Sequence, residues 1–208
     1  MPKETFLRLR DEKQNRILRS AIHEFVENGY ERAKIGDIAK NADIAAGSLY
    51  QYFDDKENLF VYSTEWATKV LFEKMYTHFD LEQLDIFEYL QQYLAAVQTV
   101  KEDRELILFF QTVMKETSLA GATSNATMGV GADYGKKLLQ NSKRRGTVRS
   151  DIDDDLLMDY FVAISEKFGL RCITQYWDFA SDLTPEQEAT LNLEMQQMID
   201  LLKSGMGG

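Results

Sequence analysis

An all-α fold is what this sequence predicts, and three observations carry the prediction. Its 208 residues hold only 2 prolines and 12 glycines, too little punctuation for a chain of many short strands and tight turns. Apolar residues recur at three- and four-residue spacing in segment after segment, the pattern of helices with one buried face. Hydrophobic residues make up 44% of the chain and charged ones 28%, a balance that supports a real core and rules out disorder as a whole-chain state.

The first stripe is Ile17, Leu18, Ala21, Ile22, Phe25 and Val26. Asn28-Gly29 ends it, glycine being the residue that most readily turns left-handed after a helix. A second, shorter stripe follows at Ile35, Ile38, Ala39 and Ala42, then a break near Asp43-Ile44-Ala45, then a third helix through Gly47, Ser48, Leu49 and Tyr50. After Asp54-Asp55 the helices lengthen, and the spacing predicts them over 55–79, 83–99, 103–117, 127–144, 153–178 and 185–203. The Gly-, Ala-, Ser- and Thr-rich stretch from Ser118 to Gly131 and the Arg145-Gly146 pair read as breaks. Thr184 before Pro185 reads as a cap with proline at the first helical position. The expected architecture is thus a three-helix head over 1–54 and a six-helix body over 55–208, nine helices in all.

Charge divides the chain in the same place. Net charge is −10, which by itself argues against nucleic acid. Residues 1–56, however, carry ten basic and ten acidic side chains, whereas 57–208 carry fourteen basic against twenty-four acidic. Residues 1–19 are locally positive, with six basic to three acidic. These early charges suit either contacts to the DNA backbone or minor groove, or a solvated arm.

Several chemistries lack their residues. A single cysteine, Cys172, builds neither a disulfide framework nor a thiolate zinc site. His23 and His78 are the only histidines, and neither has a second ligand at metal-binding spacing. The acidic run Asp151-Ile152-Asp153-Asp154-Asp155 lacks the glycine and closing glutamate of a calcium loop. No glycine-rich phosphate loop occurs. No run of about 18 apolar residues exists to span a membrane, and the start, Met-Pro-Lys-Glu-Thr, lacks a signal-peptide layout. The expectation is a cytoplasmic protein that is not an enzyme and needs no metal or cofactor.

Residues 35–53 meet the requirements of a helix-turn-helix one by one. Ala39 is small enough for two short helices to cross. Asp43 tolerates the positive φ that the turn needs. Ile44 and Leu49 plug the turn and the second helix. Ala45, Ala46, Gly47 and Ser48 present a small face at that helix's N-terminal end, suited to the major groove. A structural helical hairpin would share the same pattern.

With Ile17-Leu18, Ala21, Phe25, Gly29-Tyr30, Ile38-Ala39, Gly47-Ser48-Leu49-Tyr50, Tyr52-Phe53, Lys56 and Leu59 in ungapped register, the stretch resembles the N-terminal domain of TetR-type transcriptional regulators. Gly146 to Asp153 and Leu183-Thr184-Pro185-Glu186 resemble the stretches that precede the last two helices in that family. The resemblance implies a DNA-binding head on a helical body that dimerises and holds a small-molecule effector. There are departures. No Ser or Thr caps the second helix at Ala33-Lys34-Ile35, Asp43 stands where glycine is usual, and Ala45-Ala46 replaces a polar pair, losing base or phosphate contacts while suiting a thymine methyl.

Lys34, Ala46, Gly47, Ser48, Tyr50, Gln51, Tyr52 and Lys56 are the expected DNA-contacting residues. The resemblance assigns Tyr50 and Lys56 to phosphates, and Gln51 suits a bidentate pair with adenine. Tyr52 alternatively packs beside Phe53. In the body, Leu156, Leu157, Tyr160, Phe161, Ile164 and Phe168, then Ile173, Tyr176 and Trp177, and on the last helix Leu191, Met195, Met198, Ile199 and Leu202, serve a dimer bundle, the monomer core, or both. Trp66, Tyr93, Phe110, Met114, Tyr134 and Phe168 are the expected lining of an effector pocket, apolar or, given Glu65, Glu73, Glu88 and Glu166 nearby in sequence, fit for a lipophilic cation. The resulting expectation is a homodimeric repressor on a pseudo-palindromic operator in double-stranded DNA, released by a small lipophilic effector. The alternative is a protein-interaction adaptor on the same fold with weak DNA binding.

Overall fold

The computed structural model describes residues 1–77, 79–80, 82–99, 103–175 and 183–208. His78, Tyr176 and Trp177, and the side chains of Tyr76, Glu166 and Ile173, lie outside what is described. Among the described residues ten α-helices follow one another: α1 (Glu4–Leu7), α2 (Asp11–Arg32), α3 (Ile35–Asn41), α4 (Ala46–Tyr52), α5 (Lys56–Tyr76), α6 (Ile86–Thr99), α7 (Arg104–Lys115), α8 (Ala120–Arg145), α9 (Asp154–Gln175) and α10 (Pro185–Met206). Among the described residues the sole β pairing is an isolated bridge between Val148 and Gly207. The all-α prediction holds, and each of the six expected body helices has its counterpart in α5 to α10.

Two expectations need correction. The chain before residue 17 is neither loose nor featureless, since it forms α1 and the first turns of α2. The stretch from Ser118 to Gly131 is not a break either. A short 3-10 turn at Thr117–Leu119 leads directly into α8. The hydroxyls that looked loop-like turn back on the helix: Thr123 Oγ1 donates to Leu119 O at 3.0 Å and Thr127 Oγ1 to Thr123 O at 3.0 Å. Leu119 and Thr123 are buried, so tertiary burial outweighs low helix propensity here.

The punctuation behaves as its chemistry dictates. Gly29 takes φ 70° and ψ 166° and kinks the end of α2, a conformation glycine reaches without strain. Thr184 and Gln187 form a reciprocal capping box at the start of α10, with Pro185 in the first turn.

The chain forms two compact units. The first comprises Met1–Glu73 and Lys101–Val130. Its core is aromatic: Phe25 meets Phe60 edge-on at 4.9 Å, and Phe109 of α7 lies 6.2 Å from Phe25 and 5.5 Å from Phe60. All three rings are fully buried. Around them, Arg19 on α2 reaches Asp103 at 3.6 Å and stands over the Trp66 ring, while His23 Nδ1 lies 3.0 Å from Glu105 Oε1.

The second unit comprises Lys74–Val100 and Gly131–Gly208. Its core gathers Ile86, Leu90, Leu138, Leu157, Phe161 and Leu202 with the methionines Met195, Met198 and Met206. At one edge Asp85 caps α6, accepting from the N–H groups of Phe87 (2.9 Å) and Glu88 (2.8 Å), and the Ile86 N–H donates to Ser142 Oγ at 2.9 Å. Arg145 closes that edge with a two-pronged bond to Glu88.

Candidate nucleic-acid interface

A head of short helices orients its residues only if something holds those helices, since seven-residue helices are unstable alone. In α3 and α4 the holding is done by side chains bonded to backbone. Ser20 Oγ donates to Ile38 O at 2.8 Å and Arg16 Nε to Ala42 O at 2.9 Å, so α2 grips α3 and the turn after it. Ile44 N–H donates to Ala39 O at 3.0 Å across that turn. Asp43 sits there at φ 53°, the single positive-φ non-glycine among the described residues, as the turn requires. Ala39 is buried at the helix crossing and Leu49 is buried beneath α4. Ile44 is only half-buried. Ala42, fully buried, fills the turn in its place.

The missing Ser or Thr cap on α3 has a substitute from outside the helix. The N-cap residue is Lys34 with no side-chain cap of its own. Its N–H donates to Glu24 Oε1 at 3.0 Å, and Glu24 is buried on α2. A carboxylate at a helix N-terminus satisfies a free N–H and complements the dipole.

The eight expected contact residues separate into two groups. Lys34, Ala46, Gly47, Tyr50 and Gln51 are exposed, with Ser48 half-buried beside them. Tyr50, a large ring, is 56% exposed. Together Ala46, Gly47, Tyr50 and Gln51 make α4 a surface of small residues flanked by a phenol and an amide. Such a surface fits base edges and phosphates.

Tyr52 and Lys56 lie elsewhere. Tyr52 is 8% exposed, its ring edge-on to Phe6 at 5.9 Å, so its ring belongs to the head's core. Lys56 opens α5, but its ammonium turns back onto the end of α2, donating to Glu31 O at 2.9 Å and standing 4.7 Å over the Tyr30 ring. Beside it Asp55 caps α5 by accepting the Asn58 N–H at 2.7 Å, and that bond holds its carboxyl below the usual range. Residues 53–56 therefore act as a structural joint.

Sequence reasoning missed Lys3, Thr5, Phe6, Arg16, Ser20 and Glu24, all of which hold the reading surface in place. Only Phe6, an aromatic among charges ahead of the first stripe, offered a signal.

The six expected effector-lining residues divide between the units. Trp66, Phe110 and Met114 belong to the first. Trp66 lies under the Arg19 guanidinium at 5.2 Å, Phe110 is one ring along from Phe109 at 6.5 Å, and Met114 is 38% exposed. Tyr93, Tyr134 and Phe168 belong to the second. Tyr93 and Phe168 pack against the same apolar cluster, and Tyr134 is half-buried on α8. Burial of the Tyr93 hydroxyl pushes its pKa up.

With this geometry in place, comparison with known proteins says what the head resembles. Residues 17–62 match the family described as bacterial regulatory proteins, tetR family. Residues 17–62 therefore form a head of the TetR type. The stretch that matches covers the head from the second turn of α2 to the first turns of α5. Outside it the likeness is looser. The probable acrEF/envCD operon repressor of Escherichia coli K12 is 24% identical over 150 residues, 68% of this chain and 67% of that one. FadR of Bacillus halodurans, a fatty acid degradation regulator, shares the fold with a TM-score of 0.68 at 21% identity, over 95% of this chain and 98% of its own. FadR of Bacillus subtilis, solved in complex with stearoyl-CoA, does so with a TM-score of 0.65 at 18% identity, over 92% and 98%. With that head, the chain is a DNA-binding regulator. Among the described residues, no helix is long and apolar enough to cross a membrane.

Proposed function

We propose that the protein is a non-catalytic, cytoplasmic, homodimeric repressor that leaves its operator when a small lipophilic effector binds. The observation that carries the DNA-reading part is the exposed face of α4, small at Ala46 and Gly47 and flanked by Tyr50 and Gln51, on a head whose every short helix is pinned. In that reading Ala46 and Gly47 let the helix approach the groove, with Ala46 against a thymine methyl. Gln51 reads a base edge, and Lys34, Ser48 and Tyr50 hold phosphates. Tyr52 and Lys56 act by shaping the head.

Dimerisation follows from the reading task, because two heads on a symmetric operator engage half-sites about 34–36 Å apart. Leu156 and Tyr160 on α9 and Leu193 and Leu201 on α10 are large and exposed, which supports a second copy as the partner of that face. Release follows from the welding of α2 to α7 through Phe25, Phe60 and Phe109. An effector touching Phe110 on α7 acts one residue from Phe109, a ring that packs on Phe25 and Phe60, and Met114 lies about one turn further along the same helix. A coupling of about 1–3 kcal/mol between effector and operator suffices for a switch. An apolar effector is supported by those side chains and by the stearoyl-CoA held by the Bacillus subtilis relative of the same fold.

The test is anisotropy of a labelled duplex from the gene's own upstream region against a scrambled duplex, at two salt concentrations, with and without a long-chain acyl-CoA. Expected is a preference for the upstream duplex that survives the higher salt, lost on adding the acyl-CoA. Equal, salt-abolished binding to both duplexes overturns the sequence-reading part. Tight effector binding with unchanged operator affinity overturns the release.

A further inference from the structure

We propose that the first nine residues are a built-in brace for the recognition helix, with Lys3, Thr5 and Phe6 positioning α4 for DNA without touching it. The inference rests on the DNA-reading role of α4. It concerns a segment that precedes residue 17, where the family match begins.

The need for a brace is set by the helix itself. The last carbonyls of any helix lack partners within it. No glycine turn closes α4; the chain leaves it through Phe53 in an extended conformation, φ −131° and ψ 146°. The carbonyls of Tyr50, Gln51 and Tyr52 therefore need donors from elsewhere, and the N-terminal segment supplies one to each. Lys3 Nζ donates to Tyr50 O at 2.9 Å, Thr5 Oγ1 to Gln51 O at 2.5 Å, and the Lys3 N–H to Tyr52 O at 2.8 Å. An ammonium at the negative end of the helix dipole adds to the hold.

The apolar half of the brace is Phe6, fully buried, with its ring 4.9 Å from Phe53, 5.9 Å from Tyr52 and 5.7 Å from Tyr62. It joins the end of α4 to the start of α5. The four-residue α1 exists only because of these contacts, being far too short to stand alone. The two elements order each other.

A brace differs from a DNA-grasping arm in where its charge goes. The Lys3 ammonium is committed to Tyr50 O and to the Asp54 carboxylate at 2.8 Å, so it faces the protein. What Lys3 and Thr5 together control is the direction of Tyr50 and Gln51, whose own carbonyls they hold. A small rotation of a seven-residue helix about its N-terminal contacts would carry both side chains away from the groove.

The experiment uses the full chain with Lys3→Met and Thr5→Val combined, which leaves Phe6 and the Lys3 N–H in place, and Lys3→Arg as the conservative partner. Two quantities are read: affinity for the labelled upstream duplex across a salt series, and amide hydrogen exchange of α4 in the free protein. Expected is binding weakened about tenfold, the worth of two lost hydrogen bonds, with an unchanged salt slope. Exchange should quicken in α4 and stay unchanged in α2, and Lys3→Arg should restore both. Unchanged affinity together with unchanged α4 exchange overturns the proposal. So does weakened binding whose salt slope falls by about one phosphate per lysine with α4 exchange unaltered, which makes Lys3 a DNA contact. If the wild-type chain prefers no duplex, the DNA reading has failed, and the exchange data still decide the brace: faster exchange in α4 supports it and unaltered exchange overturns it.

Discussion

The two units of this chain are held together by different means. In the first, backbone carbonyls and N–H groups of the short helices are gripped by side chains from other helices: Ser20 on Ile38, Arg16 on Ala42, Glu24 on Lys34, Lys3 on Tyr50. Behind them stands a rigid cluster of rings. The second unit rests on a broad apolar cluster in which Met195, Met198 and Met206 are buried and Met158 packs alongside. No methionine described in the first unit is buried. Hydrogen bonds and aromatic edges fix direction, whereas methionine, unbranched and with three rotatable bonds, fills space without fixing it. A surface that must match base edges needs the first kind of packing. A body that accommodates an effector or a second subunit tolerates the second.

The sharpest way to break that contrast is to remove one ring and one methionine. Phe25 touches Phe60, Phe109 and Tyr30, and Phe25→Ala leaves a hole that a rigid cluster cannot refill. A loss of about 3–5 kcal/mol is expected, seen as a fall in the thermal midpoint by circular dichroism and accompanied by loss of duplex binding. Met198→Leu, nearly volume-conserving, should cost under about 1.5 kcal/mol and leave duplex binding intact. If the two substitutions cost the same, the units do not differ as described.

A smaller change tests orientation apart from bulk. Ser20→Ala removes only the hydroxyl that donates to Ile38 O, leaving a buried carbonyl short of a partner at a cost of about 1–3 kcal/mol. Since that bond ties α3 to α2, duplex affinity should drop more than global stability does. Parallel titrations of duplex and of urea on the same variant separate the two. A variant that unfolds more readily yet binds DNA as before would show that the grip on α3 is redundant.

How much of this was legible in the sequence follows the same division. The helix-turn-helix could be read because its constraints are local: Asp43 at positive φ, Ala39 at the crossing, Leu49 beneath. The box at Thr184 and Gln187 is local too. The fates of Tyr52 and Lys56 were not, because each is decided by a residue remote in sequence, Phe6 for one and Tyr30 with the Glu31 carbonyl for the other. The brace escaped notice for the same reason. Four residues carry no period, and the partners of α1 lie almost fifty positions away. The reading of Ser118 to Gly131 as a break failed because composition there favours loops, while burial of Leu119 and Thr123 decides for helix. Tyr93 and Phe168 pack against the core of the second unit, and aromatic spacing alone does not distinguish a core from a ligand cage.

The smallest expected effect concerns the charged edge of the second unit. Arg145 donates to both carboxylate oxygens of Glu88, and the Asp85 N–H donates to it as well. These bonds hold the Glu88 carboxyl at about 2, down from 4.5. A depressed folded-state pKa contributes stability that is present in full above the unfolded value and is lost as pH falls through the folded one. The window here runs from about pH 4.5 down to about pH 2. The pair is well solvated, so water and salt screen it and its contribution is small. Asp151 is held at about 2 by Arg149. That pair spans only two residues and persists in part in the unfolded chain, so it weighs less in the difference. Glu88→Gln should therefore lower the thermal midpoint slightly at neutral pH and flatten its decline on acidification, with wild type and variant converging near the bottom of the window. Melts at matched ionic strength across that range check it, and curves that stay parallel would place the acid sensitivity of the second unit elsewhere.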